Sequence, residues 1–195
     1  MRLLRGLLML AVGATMIGAA PAIEDAADGF ALLRRSAELA RIGEVRRDPL
    51  LLIAAARLRR SVDVTLEGEA VDRAAEWLAR AEALGAADPR ILGLVADTRA
   101  EASKGRAAGP RVSQALLSAG QRMRFAETFR AGRPAVVYIE GDGDTDVALS
   151  VGSACRDLSP GDIKICTWTP RRAERVTVEI ANTGRIRNRV LMGTN

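Results

Sequence analysis

Three aspartates in the last third of the chain have a spacing typical of calcium-binding loops. Asp142, Asp144 and Asp146 alternate with glycine and threonine, and carboxylates at alternate positions are common Ca²⁺ ligands. Val147 and Ser153 stand where an EF-hand needs its glycine and its final acid, so this is not an EF-hand. Two interpretations remain: a calcium site completed by carbonyls or acids of other loops, and a solvated acidic turn.

Cys155 and Cys166 are the only cysteines, and an even count in an exported chain predicts a disulfide. A two-residue hairpin centred on Pro160-Gly161 would place the two cysteines directly opposite each other. Pro-Gly favours a type II turn, which matches strand twist poorly, so a longer loop is the alternative. A redox-active pair usually has C-x-x-C spacing at a helix start. We therefore expect a structural bridge.

Trp168 lies between two threonines and precedes Pro170. Its ring would serve either as a binding surface for a sugar or as part of the core, which is the more common use of a single tryptophan on an apolar strand. No second exposed aromatic can be placed beside it from the sequence, which weakens the sugar-binding interpretation.

The chain contains no histidine. This excludes Ser-His-Asp and Cys-His catalysis, zinc sites that use histidine, and histidine pH switches within this sequence. The sequence therefore predicts no catalytic site and no required cofactor. The alternative is a small hydrolase that uses carboxylates or a Ser/Lys pair.

The net charge of +5 is carried almost entirely by arginine, because Lys104 and Lys164 are the only lysines among 29 basic residues. Such a bias is more simply explained by codon composition than by a phosphate-binding surface. The arginines also alternate with acids along the helices, so we expect no nucleic-acid partner.

The first 22 residues have the three parts of a secretory signal. Arg2 and Arg5 are followed by an uncharged stretch over 6–19 and by Ala20-Pro21-Ala22, which predicts cleavage after Ala22. We expect a periplasmic or secreted protein with no membrane span after cleavage. An uncleaved anchor is the alternative.

Residues 23–104 have helical periodicity. Asp48-Pro49 and Asp88-Pro89 each predict an N-cap followed by the first helical residue. The pattern predicts four helices in this segment, which we interpret as an antiparallel bundle of helical hairpins. The segment from Ala74 to Pro89 also weakly resembles the inter-helix part of a tetratricopeptide repeat.

The hydrophobic period changes to two after a glycine-containing linker at 105–120. Residues 121–195 contain six or seven short apolar segments separated by Gly, Pro and Asn turns, which predict a small antiparallel sandwich. The expected fold class is therefore α+β, with a helical bundle followed by a β-sandwich.

Four segments of the sandwich region resemble the bacterial pre-peptidase C-terminal (PPC) domain: Gly141 to Leu149, Thr167 to Pro170, Val178 to Gly184, and Asn188 to Val190. The resemblance implies a jelly-roll-like sandwich in a secreted protein. It also implies a calcium role for Asp142, Asp144 and Asp146, and binding of an extracellular polymer. Ala148 and Ser150 depart from the family pattern, which usually has an acid and an aromatic there.

The sequence as a whole favours an exported, non-catalytic interaction protein. Its helical part would dock a protein partner, and its PPC-like part would bind a second partner or an extracellular polymer. A calcium-dependent binding module is the further alternative.

Overall fold

The computed structural model describes residues 24–62, 64–67, 70–101 and 110–195. The predicted signal segment and the residues at 102–109 lie outside this part of the chain. The four predicted helices are present: α1 (Glu24–Arg46), α2 (Pro49–Arg60), α3 (Arg73–Leu84) and α4 (Pro89–Ala100). None of the helices in the described residues is long and apolar enough to cross a membrane.

Aspartate caps fix three of the helix starts. Asp48 accepts a hydrogen bond from the Leu50 N–H at 2.8 Å and Asp88 accepts one from Arg90 N–H at 2.9 Å, as the two Asp-Pro pairs predicted. Asp72 caps α3 in the same way without a following proline. The caps satisfy amide donors that have no partner within the helix.

The described residues also contain nine strands: β1 (Thr65–Leu66), β2 (Arg111–Leu117), β3 (Arg122–Phe129), β4 (Ala135–Glu140), β5 (Val147–Val151), β6 (Cys155–Asp157), β7 (Ile163–Trp168), β8 (Glu174–Asn182) and β9 (Asn188–Thr194). They form an inner sheet in the order β1-β2-β9-β4-β7 and an outer sheet in the order β3-β8-β5-β6. All pairings are antiparallel except the short β1–β2 pair. The α+β fold class is therefore confirmed.

The inner sheet is the middle of three layers. Along β4, Val137 and Ile139 face the outer sheet and form the sandwich core, whereas Val136 and Tyr138 face the helices and pack with Phe30 of α1. Strand β4 is consequently buried at every position. A strand covered on both faces is apolar throughout rather than alternating.

The segment predicted as a linker contains part of the fold. Strand β2 lies within 105–120 and pairs along its whole length with β9, from Arg111 opposite Thr194 to Leu117 opposite Asn188. Its sequence alternates weakly, with Ser113 and Gln114 in its centre, so tertiary pairing rather than local pattern determines the strand.

The disulfide between Cys155 and Cys166 is present, with a Cα–Cα distance of 5.9 Å, but the predicted hairpin is wrong. Strand β6 turns back on β5, with Cys155 opposite Val151, and β7 pairs with β4, with Cys166 opposite Val137. The bridge therefore joins the edge strands of the two sheets. The prediction failed because β5 and β4, elsewhere in the sequence, take the hydrogen bonds that a hairpin would have used.

Candidate binding groove at the helix–sheet junction

A buried ion network joins the helices to the inner sheet. Glu140 is the last residue of β4 and lies on the helix-facing side, 3% exposed. Its carboxylate is paired with Arg59 of α2 and accepts a hydrogen bond from the Tyr138 hydroxyl at 2.5 Å. The guanidinium carbon of Arg59 in turn lies 5.0 Å from the centre of the Trp77 ring. A buried charge is tolerable when it is paired and hydrogen-bonded in this way.

Arg73 is a second buried arginine and contacts both halves of the molecule. Its guanidinium donates to the carbonyls of Gly141 at 3.2 Å and Arg189 at 3.1 Å, and to Glu76 on its own helix at 2.9 Å. Arg73 therefore fixes the start of α3 against the end of β4 and the start of β9.

The surroundings of this network shift two pKa values. Burial raises the pKa of the Tyr138 hydroxyl well above its usual value, and the neighbouring charge of Glu140 raises it further. Burial alone would lower the pKa of Arg59, but the charges and hydrogen bonds of Glu140 and Tyr138 together outweigh burial and raise it. Tyr138 is therefore held neutral and Arg59 charged.

An open groove of about 510 Å³ lies beside the network, between α1, α3 and the turn that joins β4 to β5. Its apolar lining comes from four residues of the two helices: Ala37, Ala40, Val45 and Trp77. Its charged lining comes from all three elements: Arg41, Glu44, Arg73, Glu76, Arg80, Glu140, Asp142 and Asp144.

The lining of the groove has more acids than bases. Each arginine already has a carboxylate partner: Arg80 pairs with Glu44 at 3.1 Å, Arg73 with Glu76 at 2.9 Å, and Arg41 with Asp162. By contrast, Oδ1 of Asp142 is buried without a hydrogen-bond partner. Asp144 is exposed and makes no ion pair within the described residues. The groove therefore favours a positively charged ligand group.

The structure places the three aspartates of the acidic turn in different roles. Asp142 accepts a hydrogen bond from Arg189 N–H at 2.8 Å. Asp146 accepts one from Gly161 N–H at 2.7 Å, and Asp144 lies at the groove. Asp142 thus holds the start of β9 and Asp146 holds the β6–β7 loop, and only Asp144 is free of such a contact within the described residues.

Asn188, the first residue of β9, holds the acidic turn in place. Its side chain is fully buried and donates to the Thr145 carbonyl at 3.0 Å while accepting from Asp142 N–H at 3.2 Å. A Cβ atom at Gly141 would lie 2.8 Å from Asn188 and from Asp162, so this close approach requires glycine. The conformation of the turn is therefore fixed by these buried contacts.

No group of three or more acidic or cysteine side chains that could hold a metal ion occurs among the described residues. Calcium binding at Asp142, Asp144 and Asp146 stays a prediction.

Trp168 is half-buried. Its ring lies edge-on to Phe129, with centroids 4.7 Å apart, and its indole N–H donates to Glu174 at 2.9 Å. A binding-surface role for Trp168 stays a prediction, because part of the ring reaches solvent while the rest packs against the sandwich core.

A Ser/Lys pair, the other catalytic chemistry considered from the sequence, occurs at Ser159 and Lys164. The Lys164 ammonium is buried and donates to the Ser159 hydroxyl at 2.9 Å and to the carbonyls of Ser159 and Pro160. The Ser159 hydroxyl donates to Asp157 at 2.6 Å. The Ser159 hydroxyl donates its hydrogen bond to Asp157 and not to Lys164, so the lysine is not placed as a base for the serine. The pair therefore stabilises the turn.

Sequence reasoning missed the junction network. Glu140, Arg59 and Arg73 are single charged residues in otherwise ordinary segments. One signal was available: Glu140 ends an apolar strand of the type that is buried on both faces, and a carboxylate there needs a cationic partner.

The fold and the junction define an α+β protein with a helical bundle packed on a two-sheet sandwich. No protein-family model matches the chain, and no match was found among curated proteins. One similar solved structure is a de novo designed double-stranded β-helix, 14% identical, which covers 44% of this chain and 99% of its own with a TM-score of 0.31. Another is the capsular polysaccharide assembling protein CapF from Staphylococcus aureus, 12% identical, which covers 44% of this chain and 23% of its own with a TM-score of 0.23. Likenesses this weak carry no argument about function.

Proposed function

We propose that the protein is an exported, non-catalytic interaction protein of the periplasm or the extracellular space. Its helical part docks a protein partner, and its PPC-like sandwich binds a second partner or an extracellular polymer. The disulfide supports an oxidising compartment, because such bonds persist mainly outside the cytosol. The predicted signal segment supports the same location.

The single observation that carries the proposal is the groove at the helix–sheet junction. It is open and has an apolar lining beside charged side chains, the usual composition of a site for a side chain from another protein. Asp142 and Asp144, the two lining carboxylates without an ion pair within the described residues, favour one kind of occupant, a lysine- or arginine-bearing segment of a protein partner.

Site-specific photo-crosslinking tests this proposal in cells that export the protein. A photoreactive residue at Val45, which is 81% exposed at the groove, should capture a reproducible partner that mass spectrometry identifies. The same residue at Ser153, in the turn between β5 and β6, is the control for random capture. Asp144→Lys should abolish capture from Val45 by reversing the charge that attracts the partner.

The proposal is overturned if Val45 captures no reproducible partner or the same proteins as Ser153. It is also overturned if Asp144→Lys leaves the captured set unchanged.

A further inference from the structure

The outward face of the outer sheet carries four arginines and one acid. Strand register places Arg124 opposite Glu179, Glu179 opposite Ser150, and Ser150 opposite Arg156, in one row across all four strands. Arg122 lies in the next row toward one end of the sheet, and Arg175 lies opposite Thr128 toward the other end.

Two loops add four more arginines next to Arg175. The β3–β4 loop carries Arg130 and Arg133, and the β7–β8 loop carries Arg171 and Arg172. The loops touch through a hydrogen bond from Gly132 N–H to the Pro170 carbonyl at 2.8 Å. Because β3 ends opposite the start of β8, both loops meet the outer sheet at the edge that carries Arg175 and cross from there to the inner sheet. We call these eight exposed residues the arginine surface: Arg122, Arg124, Arg130, Arg133, Arg156, Arg171, Arg172 and Arg175.

Most of this positive charge is not neutralised. Arg122 and Arg124 share Glu179, at 3.0 and 2.5 Å, and the hydrogen bond from Arg124 lowers the pKa of that carboxyl. The other six arginines make no ion pair within the described residues. The arginine surface is therefore strongly positive in a chain whose net charge is +5.

The surface is long, and the side chains between its arginines are short. From the row of Arg122 to the row of Arg175 the sheet extends about 20 Å, and its four strands span about 14 Å, at standard strand spacings. The intervening outward positions are small: Ala126, Thr128, Ala148, Ser150, Thr177 and Ala181. An extended chain can therefore lie close to the sheet with arginines on both sides.

The chemistry of the surface favours one class of polyanion. No aromatic side chain occupies an outward position of the outer sheet or either loop, and Trp168 at the end of β7 is half-buried against Phe129. The surface therefore has no row of exposed rings on which nucleic-acid bases could stack. Among the exposed large hydrophobic residues only Leu158, directly after β6, lies near this face, and a single leucine does not make the apolar face that inserts into a bilayer. Arginine forks do match carboxylates, which they bind with two parallel hydrogen bonds.

We infer that the arginine surface binds a linear acidic polysaccharide through its carboxylate groups. This inference rests on the polymer-binding role proposed for the sandwich and names the class of polymer and the face that binds it. It does not involve the groove, which lies across the inner sheet from this face.

Binding of the purified, oxidised protein to polygalacturonate tests the inference, with neutral dextran as the uncharged control. Calorimetry should show binding to polygalacturonate at low salt, weakening as salt rises, and none to dextran. The triple variant R130S/R171S/R172S should bind about tenfold more weakly, since it removes three unpaired exposed charges. The matched control R35S/R46S/R90S removes the same net charge from exposed positions of α1 and α4 and should change affinity less than about twofold.

Three results overturn the inference: no binding to polygalacturonate, equal weakening by both triple variants, or tighter binding to phosphatidylglycerol vesicles or oligothymidylate than to polygalacturonate. Circular dichroism of each variant tests whether it is folded. If the triple variant R130S/R171S/R172S does not fold, the single variants R171S and R172S take its place. Capture of a partner from Val45 is measured separately, so losing this inference would leave the groove proposal intact.

Discussion

At the scale of single residues, Tyr138 is the most perturbed group of the junction. It is the single tyrosine of the chain and is fully buried beside Glu140. Because burial raises its pKa in the folded state, the folded protein holds this proton more tightly than the unfolded chain does. The resulting stabilisation is complete below about pH 10 and is lost as the pH rises further.

We therefore expect tyrosinate absorbance to appear only as the protein unfolds at alkaline pH. A spectrophotometric titration followed in parallel with circular dichroism measures both events, and Tyr138→Phe should make the stability less dependent on pH above about 10. Ionisation of the tyrosine near pH 10 with the fold intact would contradict this expectation.

The acidic turn permits a second test at this scale. If Asp142, Asp144 and Asp146 bind calcium, then 1 mM CaCl₂ (roughly a hundredfold excess over a Kd near 10 µM) raises the melting temperature of EDTA-treated protein by mass action. Asp144→Asn should remove the shift, because Asp144 is the member without a loop-holding hydrogen bond. An unchanged melting temperature on adding calcium would leave the turn with a purely structural role.

At the scale of secondary-structure elements, the disulfide ties together the two edge strands β6 and β7. The cysteines are 11 residues apart, and closing a loop of this length contributes about 3 kcal/mol in the chain-entropy model. The double substitution Cys155→Ala and Cys166→Ala should therefore lower the free energy of unfolding by about this amount, measured by urea denaturation. A reducing agent should destabilise the native protein similarly and leave the double variant unaffected. Equal stability of the two proteins would show that the bridge adds nothing to the fold.

The sequence predicted these elements to different extents. The helices were predictable because Asp48-Pro49 and Asp88-Pro89 act locally, through a side-chain cap and a fixed proline φ. Strand β2 was not, since its pairing with β9 depends on residues more than 70 positions away. The disulfide itself was predictable from the even number of cysteines and the expected export of the chain. Its position between the two sheets was not, because it depends on which strands pair with β6 and β7.

At the scale of the whole molecule, the buried pair of Arg59 and Glu140 helps to join the helices to the sandwich. Glu140→Gln leaves Arg59 charged and buried without its counter-ion, so we expect a loss of about 3 kcal/mol in the free energy of unfolding. Glu82→Gln, which breaks the exposed pair with Arg99, is the matched control and should have little effect. Chemical denaturation of both variants measures the difference. Equal effects would mean that the junction network does not stabilise the protein.

The strand order of the inner sheet also determines when the protein can finish folding. Strand β9, the last in the chain, lies in the middle of that sheet, between β2 and β4. The helices can form as soon as they are synthesised. Strands β2 and β4, however, are connected within the sheet only through β9, so they stay apart until Asn188–Thr194 has been synthesised. If the chain is exported from its N-terminus, as proposed above, the sandwich closes only after β9 has been translocated, and until then the open edges of β2 and β4 need protection from other chains.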